Sequence, residues 1–147
     1  MAYVSIALGI MAAVIFIIYG IYFAAILRGN PQVLELEMRG AFAAWLREGK
    51  GSGRVKLMIL LLASLILEAL YFVLAFLVLH NPVMIILTLI LAGEELLHLV
   101  VVVNSAQKYW QGRIEAERIL NWIIERVSAV FFFTHAFLVL VSLILFN

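Results

Sequence analysis

Residues 55–103 read VKLMILLLASLILEALYFVLAFLVLHNPVMIILTLILAGEELLHLVVVV. Two continuous apolar runs, 55–79 and 83–103, are interrupted only by His80-Asn81-Pro82. A helix needs about 20 apolar residues to cross the hydrocarbon of a bilayer, and both runs reach that length. Neither shows the alternation of a membrane β-strand. Pro82 cannot continue the preceding helix, because it lacks an N–H, but it suits the first turn of the next one. The stretch therefore predicts a tight transmembrane helical hairpin.

Working outward, two further runs are long enough to span, 3–27 and 127–146. The first carries no charge and no basic leader, and it is longer than the apolar stretch of a signal peptide, so it is expected to be a retained helix. The composition agrees. Of 147 residues, 67% are hydrophobic and 13% charged, far from the roughly half apolar and quarter charged of soluble domains. In lipid every backbone polar group must be satisfied internally, which helices achieve. The expected fold is all-α: one polytopic membrane domain of four transmembrane helices spanning residues 1–147. With no cysteine, disulfides, thiolate metal sites and thiol catalysis are excluded.

All ten Lys and Arg lie within residues 28–56 and 108–126. In a four-crossing chain both segments fall on one side. Cytoplasmic loops collect Lys and Arg, so loops 28–54 and 104–126 are expected inside and both termini on the non-cytoplasmic side. These basic residues alternate with Glu and adjoin spans. They read as topology determinants, with no nucleic-acid site.

The first loop has structure of its own. Asn30-Pro31 reads as an N-cap followed by proline at the first helical position, and Gly49-Lys50-Gly51-Ser52-Gly53 as the stop. Between them Leu34, Met38, Ala41, Phe42 and Trp45 recur at helical spacing, with Glu35, Arg39 and Arg47 on other faces. This predicts an amphipathic helix lying in the membrane interface or packed on a partner subunit. In the second loop, Arg113/Glu117 and Glu115/Arg118 have helical pair spacing, so the fourth helix is expected to start near Glu115.

Three carboxylates fall inside spans, Glu68, Glu94 and Glu95, together with His98 and His135. A charge at mid-bilayer costs about 2.5–3.5 kcal/mol even on the insertion scale, and such groups normally face the bundle interior. Counting 1.5 Å per residue from Lys56, Lys108 and Arg126 places the carboxylates roughly 18–20 Å deep and the two histidines in one layer at about 13–15 Å. His98 is i+3 from Glu95 and i+4 from Glu94, both contact spacings.

This cluster supports three readings. Glu and His chains in membranes relay protons or hold cations, giving a proton- or cation-handling subunit within an oligomer or larger membrane complex. The same residues can instead fix helix packing in a structural or assembly subunit. Third, Glu95-x-x-His98 is half of a carboxylate-bridged di-iron pattern, with Glu95, His98 and His135 as candidate metal ligands. His98 and His135 are also candidate axial ligands of a b-type haem. The stretch around Leu67-Glu68-Ala69-Leu70 resembles the carboxylate helix of rotary ATP synthase ring subunits over about a dozen residues. Those subunits pair it with a glycine-rich first helix, which this chain lacks. No phosphate loop, nucleophile elbow or HExxH motif is present, so no enzyme class is assigned.

Overall fold

The computed structural model describes residues 2–48 and 52–146. The described residues form five α-helices, α1 (Ala2–Leu27), α2 (Pro31–Arg47), α3 (Gly53–Val78), α4 (Pro82–Trp110) and α5 (Trp122–Phe146), with one 3-10 turn at Ala116–Arg118 and no strand. Four of them, α1, α3, α4 and α5, are long and apolar enough to cross a membrane.

Helix ends follow local chemistry. Both long connections begin with the same stop: Gly29 (φ 73°) and Gly112 (φ 68°) occupy the left-handed region that glycine tolerates. Their flanking amides close back on the last turn, Gly29 N–H to Ile26 O and Asn30 N–H to Ala25 O in one case, Gly112 N–H to Tyr109 O and Arg113 N–H to Lys108 O in the other. The Asn81 side chain accepts from Val83 N–H at 2.9 Å ahead of Pro82, so α3 and α4 form the expected hairpin. Ser52 caps α3 by accepting from Arg54 N–H.

Two boundaries depart from the sequence reading. Asn30 makes no side-chain cap; its backbone N–H closes α1 on Ala25 O. The fourth long helix does not start near Glu115. Residues 115–118 form the 3-10 turn, and α5 begins at Trp122 after Asn121, whose side chain accepts from Ile123 N–H. The expected stop residues 49–51 lie outside the described residues; α2 ends at Arg47, with Glu48 extended.

The four long helices pack in the cyclic order α1–α5–α4–α3. α1 and α5 run antiparallel: the site of a Gly9 Cβ faces Leu143, and that of Gly20 faces Phe133 at 3.4 Å. Phe16 and Phe23 stack on Phe133, with ring centroids 4.7 and 4.3 Å apart, and Tyr19 stacks on Phe132 at 5.2 Å. The buried interior joins Leu8, Ala12, Tyr71, Ala75, Leu91, Phe132, Ala136 and Val139. Alanines at such positions let helix backbones approach closely, which drives association where lipid removes the hydrophobic incentive. Conversely Ile6, Ile10, Ile17, Ile66, Val73 and Leu97 are exposed on the outside, the pattern of a surface solvated by acyl chains.

α2 and the 3-10 turn cover one end of the bundle. Ala43, Leu46, Leu57, Ala106, Ala116 and Ile119 form a second buried cluster there. Lys56, in the first turn of α3, donates to the carbonyls of Trp45 (2.8 Å) and Glu48 at the C-terminus of α2, where a cation also meets the negative end of the helix dipole. The inward face of α2 differs from the expected stripe. Pro31, Glu35, Ala43 and Leu46 are buried, whereas Met38 and Trp45 are exposed and Leu34 and Phe42 half-buried. The buried stripe is set by an ion pair: Arg126 of α5 grips Glu35 with two N–H···O bonds of 2.5 and 2.8 Å, and Tyr22 of α1 donates to the same carboxylate at 2.6 Å. A charge thus anchors the helix, and the apolar stripe turns outward.

The Tyr22 bond gives a measurable contribution. Tyr22→Phe keeps the ring and removes one of three donors to Glu35. We expect a loss of about 1 kcal/mol, read as a small drop in the thermal midpoint of the detergent-solubilised protein without release of α2.

A candidate functional site between α4 and α5

The polar residues inside the spans sort into two groups, ordered by the antiparallel register of α4 and α5. His98 lies opposite Glu125, Glu94 opposite Ser128, and Thr88 opposite His135.

The first group centres on His98. Its Nδ1 lies 2.8 Å from Glu95 Oε1, one helical turn back on α4, and its Nε2 lies 2.9 Å from Glu125 Oε1 in the first turn of α5. The imidazole therefore bridges two carboxyl groups. Each of the two short contacts needs a proton along it. Either the imidazole carries both, or one sits on a carboxyl oxygen. Beside this bridge Ser128 donates to Glu94 Oε1 at 2.8 Å. The second oxygens, Glu94 Oε2 and Glu95 Oε2, are buried without a hydrogen-bond partner. A buried, unpartnered carboxyl oxygen costs roughly 1–3 kcal/mol or more when it carries charge.

Glu68 makes no hydrogen bond among the described residues, but it lies beside the bridge. It shares with Glu95 a crevice of about 220 Å³ between α3 and α4, lined also by Leu65, Ala69, Phe72 and Ala92. It also borders a second crevice of about 290 Å³ between α1 and α3, with Ile10, Val14, Tyr19 and Ser64.

The second group is self-contained. Thr88 Oγ1 donates to Met84 O at 2.7 Å, so its lone pair receives His135 Nε2–H at 2.8 Å. His135 Nδ1 then accepts from the Tyr71 hydroxyl at 2.7 Å, and the Tyr71 ring meets the imidazole edge-on at 5.5 Å. With His135 and Tyr71 both buried, every donor and acceptor of this triad is matched in one tautomer.

The expectation that His98 and His135 share a layer is corrected by this register. His135 is level with Thr88, ten residues before His98 on α4, about 15 Å along the axis. The depth count failed because Arg126 and Lys108 do not mark the same height. Arg126 sits beside the level of His98, held by Glu35 of α2, while α4 continues to Trp110. The two histidines thus do not face a common ligand, and both nitrogens of each already have partners. A shared haem or metal between them does not fit these residues, and among the described residues no group of three is placed to hold a metal ion.

Glu125, Ser128, Tyr71 and Thr88 were not singled out by the sequence reading. The sequence reading puts Glu125 in loop 104–126, ahead of the span. The signal for its role is Asn121, an N-cap ahead of Trp-Ile-Ile, which starts α5 at Trp122 and brings Glu125 into its first turn. No protein-family model matches this chain, and comparison with curated proteins and with solved structures gives no match.

Proposed function

We propose that this membrane protein handles protons through the Glu125–His98–Glu95 bridge, with Glu68 as the next acceptor. The observation that carries the reading is the His98 imidazole held between two carboxyl groups, one of which has an unpartnered oxygen. A proton arriving at Glu125 passes to Nε2. The Nδ1 proton passes to Glu95 Oε1, and the imidazole is left as its other tautomer, to be reset by ring rotation. Proton transfer fits better than alkali-ion binding, because an imidazole wedged between carboxylates carries protons and leaves no oxygen cage for a bare cation.

Polar groups extend from the level of His98 to that of Thr88. Beyond them Met84, Leu79, Val139 and Leu8 close the bundle. The relay thus opens toward the α2 end and ends blind in the membrane, as a half-path does. We place the α2 end in the cytoplasm on the segregation of Lys and Arg. Cysteines introduced at Ser52 or Gly112 should then be shielded from an impermeant thiol reagent in intact cells, and one at Asn81 labelled. Labelling of Ser52 from outside reverses the orientation. A half-path needs a partner to complete it, so we place the protein in a homo-oligomer, which the purified chain forms by itself in the bilayer.

The relay is tested by reconstitution. Proteoliposomes holding the purified protein and an internal pH dye receive a potassium-diffusion potential. Wild-type protein should admit protons above the rate of empty vesicles. Glu95→Gln and His98→Ala should each lower the excess rate at least tenfold, while His80→Ala in the α3–α4 turn keeps it. Wild-type flux equal to that of empty vesicles, from protein that is folded and inserted, removes the reading and leaves the polar residues as packing elements.

A further inference from the structure

The end of α1 and the first turns of α2 enclose an open groove of about 520 Å³, far from the relay and within the roughly 300–1,000 Å³ of ligand sites. One wall is α1. Ile21, Ala24, Ala25 and Arg28 lie at i, i+3, i+4 and i+7 and so share one helix face. The other wall is α2. Val33, Leu34 and Glu37 share a face, because Glu37 is i+4 from the first and i+3 from the second. Asn30 lies at the connection between the two walls. The groove is thus apolar along its length and carries one cation and one anion on opposite walls. Ile21 and Val33 are exposed, and Ile21 lies in the last two turns of a span, so the apolar part opens on acyl chains. Leu34, the first residue of the stripe that α2 turns outward, continues that surface. Arg28 lies about 10 Å further along the axis than Ile21, where a span meets the headgroups. Arg28 and Glu37 are both exposed. Among the described residues neither side chain makes a hydrogen bond or an ion pair, even with the other. Glu35, on the buried face of the same helix, is by contrast fully engaged by Arg126 and Tyr22.

Charge complementarity selects the occupant. A guanidinium matches a phosphate, which it can grip with two N–H···O bonds. The carboxylate of Glu37 calls for a cation that donates N–H bonds. A ligand carrying both groups, neutral overall, fits the pair. An anionic phospholipid would satisfy Arg28 but hold its net negative charge beside Glu37. A choline lipid has the right charges, yet its trimethylammonium has no N–H to give the carboxylate. A water-soluble phosphate ester would leave the walls of Ile21, Ala24 and Val33 uncovered. We infer that the α1–α2 groove seats a zwitterionic phospholipid with a primary ammonium headgroup, its phosphate on Arg28, its ammonium on Glu37 and its acyl chains along Ile21, Ala24 and Val33. The inference stands apart from the proton reading, since none of these residues belongs to the relay.

The probe is phosphatidylethanolamine, compared with phosphatidylcholine and phosphatidylglycerol of the same acyl chains. The delipidated full chain in detergent is titrated with each lipid, and the bound fraction is read by native mass spectrometry. Wild-type protein should bind phosphatidylethanolamine saturably and about tenfold more tightly than either other lipid, the effect of one hydrogen-bonded charge. Arg28→Ala should weaken phosphatidylethanolamine by about tenfold, through the lost phosphate contact. Glu37→Gln should bring it down to the level of phosphatidylcholine and leave phosphatidylglycerol no weaker. Both side chains are exposed, so both variants should fold, which circular dichroism checks. Arg113→Ala, a charge removed outside the groove, should leave the preference as it is. Glycerophosphoethanolamine, the same headgroup without acyl chains, should not displace the lipid at equal concentration. Equal affinity of wild-type protein for the three lipids overturns the inference. A preference for phosphatidylethanolamine that survives both Arg28→Ala and Glu37→Gln overturns it too, and so does displacement by glycerophosphoethanolamine, which would make the ligand a soluble one. No arm reads proton flux, so failure here leaves the relay standing, and failure of the relay leaves this groove untouched.

Discussion

His135→Ala should destabilise the bundle strongly, and without touching proton flux through His98. The imidazole is buried between Tyr71 and Thr88. Its removal strands the Tyr71 hydroxyl in the interior, which costs about 1–3 kcal/mol. It also leaves a cavity among tightly packed side chains, worth roughly a further 2 kcal/mol. Thr88 is spared, because its hydroxyl keeps the Met84 carbonyl. For a chain of this size each kcal/mol moves the thermal midpoint by about 2–4 °C, so a fall of roughly 10 °C in detergent is expected. Tyr71→Phe should cost less, since only His135 Nδ1 loses its partner. The double variant should fall short of the sum of the two single effects, because the orphan created by one change is removed by the other. An unchanged midpoint for His135→Ala would mean that the triad does not hold the helices together.

How much of this was legible in the sequence follows from the range of each interaction. The four spans, the hairpin at Asn81-Pro82 and the loop helix after Pro31 rest on composition and local chain chemistry, which a linear reading captures. Glu95 with His98 was legible for the same reason, as an i,i+3 pair on one helix. What failed was tertiary. The level of α5 against α4 depends on where the chain folds back, at Gly112 and Asn121, and that is a long-range matter: a linear count leaves Glu125 in the loop and puts His135 nearly three turns from its level. The face that α2 buries against the bundle is not legible from hydrophobic pattern alone. The apolar stripe through Met38 and Trp45 is real, yet the Glu35–Arg126 pair joins residues 91 positions apart and turns that stripe outward. Glu68 illustrates the opposite case. Its isolation within an apolar run marked it at once, whereas its shared crevice with Glu95 needed the packing of α3 on α4.

The Glu35–Arg126 pair should make the docking of α2 depend on pH in a defined direction. Arg126, with help from the Tyr22 hydroxyl and against the opposing effect of burial, holds the Glu35 carboxyl below its ordinary value of 4.5. A carboxyl whose pKa is depressed in the folded state stabilises that state above the unfolded value, and the contribution is lost as pH falls through the folded value. Docking should therefore be intact at neutral pH and through pH 5, and should loosen only below the ordinary carboxylate range. Arg126→Gln removes the guanidinium and leaves Glu35, whose side chain is only 6% exposed, with Tyr22 as its sole hydrogen-bond donor. Such a half-broken buried pair is strongly destabilising. In that variant the segment 28–52 should be cut by an added protease at least tenfold faster than in wild type at pH 7, with the four spans left inserted. Glu35→Gln should release α2 less, since Gln keeps an acceptor for Tyr22 and leaves no buried charge, and its cleavage rate should not change between pH 7 and pH 3.5. Because Arg126 follows Glu125 directly, freeing α2 also loosens the first turn of α5, and Arg126→Gln should lower proton flux together with its faster cleavage. Full protection of residues 28–52 in Arg126→Gln would show that the apolar cluster of Ala43, Leu46 and Ile119 holds α2 in place without the ion pair.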